Sequence, residues 1–460
     1  MGGSSGSVDA ERIEGTLATR WLVDRDRFMM AVEPAPRQTS DMTASIAEGV
    51  QRFTPDNGPT TIVRADPSAR VFAMHILVRD RYLWEQQYGT GTIDLLHRLI
   101  AENSDDQIDE LAARFKTSDN PRIPYDNYYT APEFSFIRFE MLPDKWQEGI
   151  ALVAEMMASL PTDDRSWGSA QHGSSSAGSS QGRSPTSVGR QALRHRLVPN
   201  SSLEASVYGD VASVDPNDLE QLRKSYFHPE NLIITVAGPV PVDDVAPVIE
   251  QEFQQLNGGD FTPPEPLPFD PDDITIDEML SDSITLGRAQ GALVLGKVIR
   301  RIDESDRAAL TVANSYLNEQ MGMIIREEYG LAYSLGSSIR IRKTANGETW
   351  GYWEISIATR PENLDRVEEL MHQILNDIAS HTFAIEEISQ ISNAIAGRLM
   401  MRAMSRIGQA YSMGVGEFFY GDPESSGQLA QQLPRVTAQQ VSEVAGQYLD
   451  AEGLFVLKVK

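Results

Sequence analysis

A helix-then-strand unit that recurs along the chain limits its folding options more than any other feature. At 213–238, SVDPNDLEQLRKSYFHPENLIITVAG reads as a capped helix, a Pro-Glu-Asn turn and a buried apolar strand. At 435–459, RVTAQQVSEVAGQYLDAEGLFVLKV has the same order, with Val436, Val441 and Tyr448 standing 222 residues after Val214, Leu219 and Tyr226. A looser copy, SVDAERIEGTLATRWLVDRDRFMMAVEPAP, opens the chain, with Val8 206 residues before Val214 and Trp21 one position out of step with the two tyrosines. A unit repeating at about 200 residues means tandem domains of that size, each finishing on it. The first copy has no domain in front of it, so 1–40 is expected to be an extension shaped like the tail of an upstream homologous domain.

The stretches between these endings also correspond. TTIVRADPSARVFAMHILVRD and DSITLGRAQGALVLGKV each read as a strand pair, followed by the helices TGTIDLLHRLIAE and ESDRAALTVANSYLNEQ. Further strands follow, then two amphipathic helices, PDKWQEGIALVAEMMASL and PENLDRVEELMHQILNDIAS, that start alike with Pro and acidic residues in the first turn. Strands and helices segregated in this order predict an α+β fold of two homologous α/β domains, each a mainly antiparallel sheet with helices packed on it. The first domain is expected at 41–262 and the second at 263–460, with the Pro/Asp-rich run 257–273 as the linker. The Ser/Gly-rich stretch from Asp163 to Gly189 is expected to be a flexible loop.

Composition removes several function classes. A chain of 460 residues is long enough for two cores. Its net charge of -26 and pI near 4.7 set it against nucleic acid, whose phosphates it would repel. Seven Lys stand against 33 Arg and 66 acidic residues, the balance of an acid-rich solvated surface. With zero Cys, disulfides, thiolate metal sites and Cys nucleophiles are absent together. The longest nearly apolar stretch, ALVAEMMASL at 151–160, is too short to span a bilayer. The opening MGGSSGS resembles a tag linker, so the compartment stays open between bacterial cytoplasm and periplasm.

The most specific local signal is QMGMIIREEYGLAYSLGSS at 320–338. Ile324 and Ile325 close an apolar stripe, Glu327 and Glu328 face water, and Gly330 is the residue type that ends helices in a left-handed conformation. Leu331, Tyr333 and Leu335 then alternate with Ala332, Ser334 and Gly336 as a strand. Arg326 falls in the last helical turn and Tyr333 on the strand seven residues later, a fixed cation and a phenol that could both grip a peptide carbonyl. An Arg at a helix C-terminus and a Tyr at a sheet edge would also serve structure alone.

Other chemistries find little support. The seven histidines never occur as an i, i+4 pair with a carboxylate between, and His372 and His381, the closest two, stand nine apart. Asp94 and His97 lie one helical turn apart, as a surface contact would. No phosphate-cradling Gly loop or Gly-x-Ser-x-Gly elbow is present, and GDPESSG at 421–427 is a turn with an acidic front.

The repeat, the endings SYFHPENLIITVAG and QYLDAEGLFVLKV, and REEYGLAYSLGSS together resemble the inverted zinc metallopeptidases of the pitrilysin, insulinase and mitochondrial-processing-peptidase type, over nearly the whole chain. In that family two halves, each of two homologous domains, close like a clam shell on an unfolded peptide. One half carries His-x-x-Glu-His, and the other an Arg and a Tyr at the spacing of Arg326 and Tyr333. The resemblance puts the zinc motif on the first helix of the first domain, and there Asp94 stands for the first His, His97 for the catalytic Glu and Arg98 for the second His. An Arg at a ligand position brings a permanent positive charge to the metal, and the family's downstream Glu ligand has no match in the Ser/Gly-rich stretch. The implied protein is a non-metal-binding half, inactive alone, whose Arg326 and Tyr333 hold substrate and stabilise the oxyanion. Zinc, its ligands and the base are expected on a homologous partner half, separate or fused upstream. Two alternatives are a non-catalytic scaffold or assembly protein derived from this family, and a zinc peptidase with unorthodox ligands. The isolated chain is expected to be a monomer or loosely self-associating, with an extended peptide able to add to a sheet edge.

Overall fold

The computed structural model describes residues 49–102, 114–117, 131–181, 184–265, 269–274, 280–344 and 346–460; the expected extension 1–40 lies outside them. Two sheets organise the chain. The first runs β1-β2-β6-β3-β5-β4, from β1 (Val50–Phe53), β2 (Thr60–Ala65), β3 (Phe72–Arg79), β4 (Arg114–Thr117), β5 (Phe134–Met141) and β6 (Leu232–Gly238). The second runs β7-β11-β8-β10-β9, from β7 (Leu280–Ile284), β8 (Gly291–Ile299), β9 (Ala332–Lys343), β10 (Thr349–Thr359) and β11 (Phe455–Val459). Apart from β1 the two orders coincide strand for strand. In each sheet the strand of the repeated unit, β6 or β11, pairs in parallel with the first strand and antiparallel with the next. The fold is thus α+β with two matching, mostly antiparallel sheets.

Local chemistry fixes the repeated unit. Asp215 accepts from Asn217 N ahead of Pro216–Tyr226, and Thr437 with Gln440 forms a capping box ahead of Ala438–Tyr448. Tyr226 and Tyr448, the paired tyrosines of the repeat, are both buried.

The strand composition requires cover on both faces, since β3, β6 and β8 are buried along almost their whole length and carry no polar alternation. One face of each sheet packs on helices of its own part of the chain. Leu293 and Leu295 of β8 join helices Arg307–Met321, Leu364–Ala379 and Ala438–Tyr448, while Met74 and Ile76 of β3 join Thr92–Glu102 and Trp146–Ala158. The other face is covered by exchange. Helix Pro185–Leu197 lays Leu193 and Leu197 against Val294, Tyr352 and Leu457 of the second sheet. Helix Arg406–Tyr420 lays Ala410 and Met413 against Leu77, Phe136 and Ile233 of the first.

The loop expected from Asp163 to Gly189 is instead two helices, Asp164–Gln181 and Pro185–Leu197. Its small residues act as spacers. A Cβ on Gly173 would lie 2.7 Å from Arg98 Nη1, and one on Gly189 would lie 2.7 Å from Val294 Cγ2. Ala170 and Ser174 are buried beside them. Close backbone approach to a neighbouring element offsets the poor intrinsic helix propensity of Gly and Ser, a contribution that composition alone cannot register.

Ion pairs tie the exchanged elements down. Arg190 Nε donates to Glu354 Oε1 at 2.6 Å and Arg194 Nε to Glu354 Oε2 at 3.1 Å, joining helix Pro185–Leu197 to β10. Arg52 meets Glu417 at 2.8 Å, Arg406 donates to Asp66, and Arg342 Nη2 donates to Glu133 Oε1 at 2.6 Å, each joining the two sheet-bearing parts.

Candidate functional site

The segment singled out for its Arg and Tyr sits where helix Arg307–Met321 meets β9. The helix does not stop at its last α-turn but widens into a π-helical stretch, Gly322–Glu328, within which Arg326 lies. Such turns are frequent at functional positions because they displace side chains from the regular stripe. Gly330 then takes φ +62°, and the Leu331 N–H closes on Ile325 O at 2.9 Å. A residue with a Cβ would be strained there.

Arg326 and Tyr333 both reach solvent, with 52% of the Arg326 side chain and 58% of Tyr333 exposed. Arg326 Nε donates to Glu327 Oε1 at 2.8 Å, a surface pair that would yield readily to another acceptor. Met323 and Tyr329, which the sequence reading passed over, are exposed in the same segment at 55% and 44%. Their signal was available: both fall off the stripe that buries Met321 and Ile325.

β9 forms the outer edge of its sheet, yet part of that edge is closed. Asn318 Oδ1 accepts from Ser337 N at 2.7 Å and Asn318 Nδ2 donates to Ser337 O at 3.0 Å. One side-chain amide thus takes the place of a neighbouring strand at Ser337, as edge-protecting devices do. An added peptide strand would have to pair elsewhere along β9.

The positions aligned with the zinc motif lie on helix Thr92–Glu102 and fall into two separate arrangements. Asp94 and Arg98 do come together, Arg98 Nε donating to Asp94 Oδ2 at 3.1 Å. The guanidinium packs on Gly173 of helix Asp164–Gln181, so a cation of the chain's own lies between the two helices. His97 is turned away from this pair. Its Nε2 shares a 2.6 Å hydrogen bond with Ser135 Oγ, which in turn is 2.6 Å from the Tyr226 hydroxyl. Burial pushes the His97 imidazole down to about 3, with the Arg81 guanidinium adding to the effect, so the ring is neutral.

Next to His97, Arg81 and Glu85 form a second buried polar pair at 3.5 Å, and Glu85 Oε1 also accepts from Ile93 N at 3.2 Å. Burial pushes the Glu85 carboxyl up to about 7 against the pull of Arg81 and of the backbone donors. These groups, with Ser135 and Tyr226, are a polar network inside an apolar cluster, and sequence reasoning missed it because its members are spread over 145 residues. The residues do not suit zinc: a permanent cation stands at a ligand position, and the neutral histidine already bonds a serine. Among the described residues no group of three or more His, Cys, Asp or Glu side chains is placed to hold a metal ion. No helix among them is long and apolar enough to cross a membrane.

Residues 213–395 match the family described as Peptidase M16 inactive domain. An uncharacterised zinc protease of Mycobacterium leprae is 23% identical over 256 residues, 53% of this chain and 55% of that protein. The chain thus spans about half the length of this curated relative. The fold is also that of the M16 inactive domain from Pseudomonas fluorescens, with a TM-score of 0.73 at 16% identity over 89% of this chain and 97% of that one. The periplasmic protease PqqL of Escherichia coli superposes with a TM-score of 0.71 at 15% identity, covering 90% of this chain but 45% of PqqL. The family match thus covers 213–395, while the solved structures share the fold over about nine-tenths of the chain.

Proposed function

On the premise that this chain is kin to the inactive-domain halves of M16 peptidases, we propose that it is the non-metal half of a zinc metalloendopeptidase, positioning peptide substrate for a zinc-bearing partner half. The observation that carries this reading is the contrast between two regions. Arg326 and Tyr333 are held on a helix-strand junction with their polar ends in solvent, whereas Asp94, His97 and Arg98 are spent on internal contacts. Exposed Met323 and Tyr329 beside Arg326 give the same segment a surface suited to packing on a partner.

In the assembled enzyme the Arg326 guanidinium holds a substrate carbonyl, giving up Glu327 to do so. The Tyr333 hydroxyl donates a hydrogen bond to the scissile carbonyl oxygen as negative charge develops on it. Removing one such donor costs about 3 kcal/mol in the transition state. This half is proposed to divide into two domains, 41–262 and 263–460, the partner half being a separate subunit or a fused upstream segment.

The test is reconstitution with a homologous half that bears His-x-x-Glu-His, assayed on an unstructured fluorogenic peptide. Tyr333→Phe should lower kcat about a hundredfold with KM little changed, and the chain alone should leave the peptide intact. Full activity of the Tyr333→Phe complex would remove the role given to Tyr333. Failure of the two halves to associate, or cleavage by the isolated chain, would remove the half-enzyme reading itself.

A further inference from the structure

A cavity of about 690 Å³ opens between the two sheets, walled by β9, by both exchanged helices and by the strands facing them. In a chain of net charge -26 its lining is strongly basic: seven arginines against the carboxylates of Glu133 and Glu424. Arg190 and Arg342 are already engaged, with Glu354 and Glu133. Arg307, Arg340 and Arg402 have no carboxylate within ion-pair distance among the described residues, and Arg307 and Arg340 are only partly exposed.

Gathering guanidinium groups in a confined space is unfavourable without a counter-charge. Burial, then the neighbouring Arg194, holds the Arg340 guanidinium below its ordinary value, against the opposing pull of Glu133 and Glu354. Two of the arginines are also braced by aromatic rings. Arg307 Cζ lies 3.9 Å from the centroid of Tyr420 and Arg342 Cζ 4.0 Å from that of Phe419. Stacking fixes the plane of a guanidinium; Arg342 turns its edge to Glu133, and the edge of Arg307 is left to meet an oxyanion with two parallel hydrogen bonds. Glu133 Oε2 is buried with no hydrogen-bond partner among the described residues, an acceptor in place for a hydroxyl on the same occupant.

We propose that this cavity is a binding site for a small multivalent oxyanion that also carries an O–H group, a phosphate or a hydroxy-carboxylate, held by Arg307, Arg340 and Arg402 between the two sheets. Its volume suits a small molecule. Because the walls come from both sheet-bearing parts, the occupant would clamp them together and stabilise the whole chain by mass action. This site is independent of Arg326 and Tyr333 and of any partner half.

The full chain is titrated by calorimetry with pyrophosphate and, separately, with citrate, at ionic strength held constant with sodium chloride, and its thermal midpoint is followed in parallel. Saturable binding near one per chain with a raised midpoint is expected for at least one probe, and the stronger of the two identifies the source as phosphate or carboxylate. Arg340→Gln and Arg402→Gln should each weaken that binding about tenfold or more, the loss of one charge-assisted contact. Arg301→Gln, a surface substitution outside the cavity, should leave it unchanged. Arg402 is exposed, so its variant keeps the test valid if Arg340→Gln fails to fold. Absence of saturable binding by either probe, or equal binding by the Arg402→Gln chain, would overturn the proposal.

Discussion

Replacing Glu354 by Gln tests whether the exchanged helix Pro185–Leu197 is held electrostatically as well as by apolar packing. Only 1% of the Glu354 side chain is exposed, and it accepts from Arg190, from Arg194 and, at 3.0 Å, from the Tyr352 hydroxyl. Burial pushes its carboxyl upward, but Arg194, Arg190 and Arg340 outweigh that and hold it below its ordinary value. Gln keeps the shape and one acceptor oxygen while removing the charge. Breaking a buried pair costs about 3–5 kcal/mol, but Arg190 and Arg194 retain 39% and 18% side-chain exposure and can rehydrate. The expected loss is therefore about 2–3 kcal/mol, read as a lowered urea midpoint at pH 7. Because the folded value is depressed, the carboxylate's contribution is complete above the unfolded value of about 4.3 and is lost as pH falls through the folded one. The gap between parent and variant should narrow below about pH 4 accordingly. An Glu354→Gln chain within 0.5 kcal/mol of the parent at pH 7 would refute the claim that this carboxylate anchors the helix.

Three further outcomes follow from the same geometry. Gly189→Val places methyl groups where Val294 and Val459 already pack, and should cost about 1–3 kcal/mol in thermal or urea unfolding. His97, depressed to about 3, binds its proton in the unfolded chain first, so stability is complete above about 6.5 and declines as pH falls toward 3; a His97→Gln chain should show a shallower decline over that window in pH-dependent unfolding. Arg326→Gln and Tyr333→Phe should leave the unfolding midpoint of the isolated chain within the range of surface changes, about 0.5 kcal/mol, because both side chains are exposed. A large loss in either would mark the residue as structural.

Much of the candidate site could be read without coordinates, since helix-to-strand junctions are written in local chemistry. Gly330 announces its left-handed turn, and the alternation from Leu331 onward announces β9. The π-helical widening at Gly322–Glu328 was not legible, because it shifts hydrogen bonds by one residue without altering the apolar spacing on either side. The departure at Asp94, His97 and Arg98 was visible as residue identity alone. Their separation into an Asp94–Arg98 pair and a His97–Ser135–Tyr226 chain needed partners as far as 129 residues away.

The 222-residue recurrence by itself pointed to two matching units, each closing on a helix and a strand, because capping and periodicity act between residues a few positions apart and repeat wherever the pattern does; where that strand pairs within its sheet came from the structure. Only the tertiary structure decided which helix covers which sheet. That choice made helices of the Ser/Gly-rich stretch and gathered the arginines into one basic cavity. These outcomes rest on contacts such as Arg190 with Glu354, 164 residues apart, and Thr235 with Ala410, 175 apart. Their energies come from burial and close approach between distant segments, which leave no periodic trace in the order of residues.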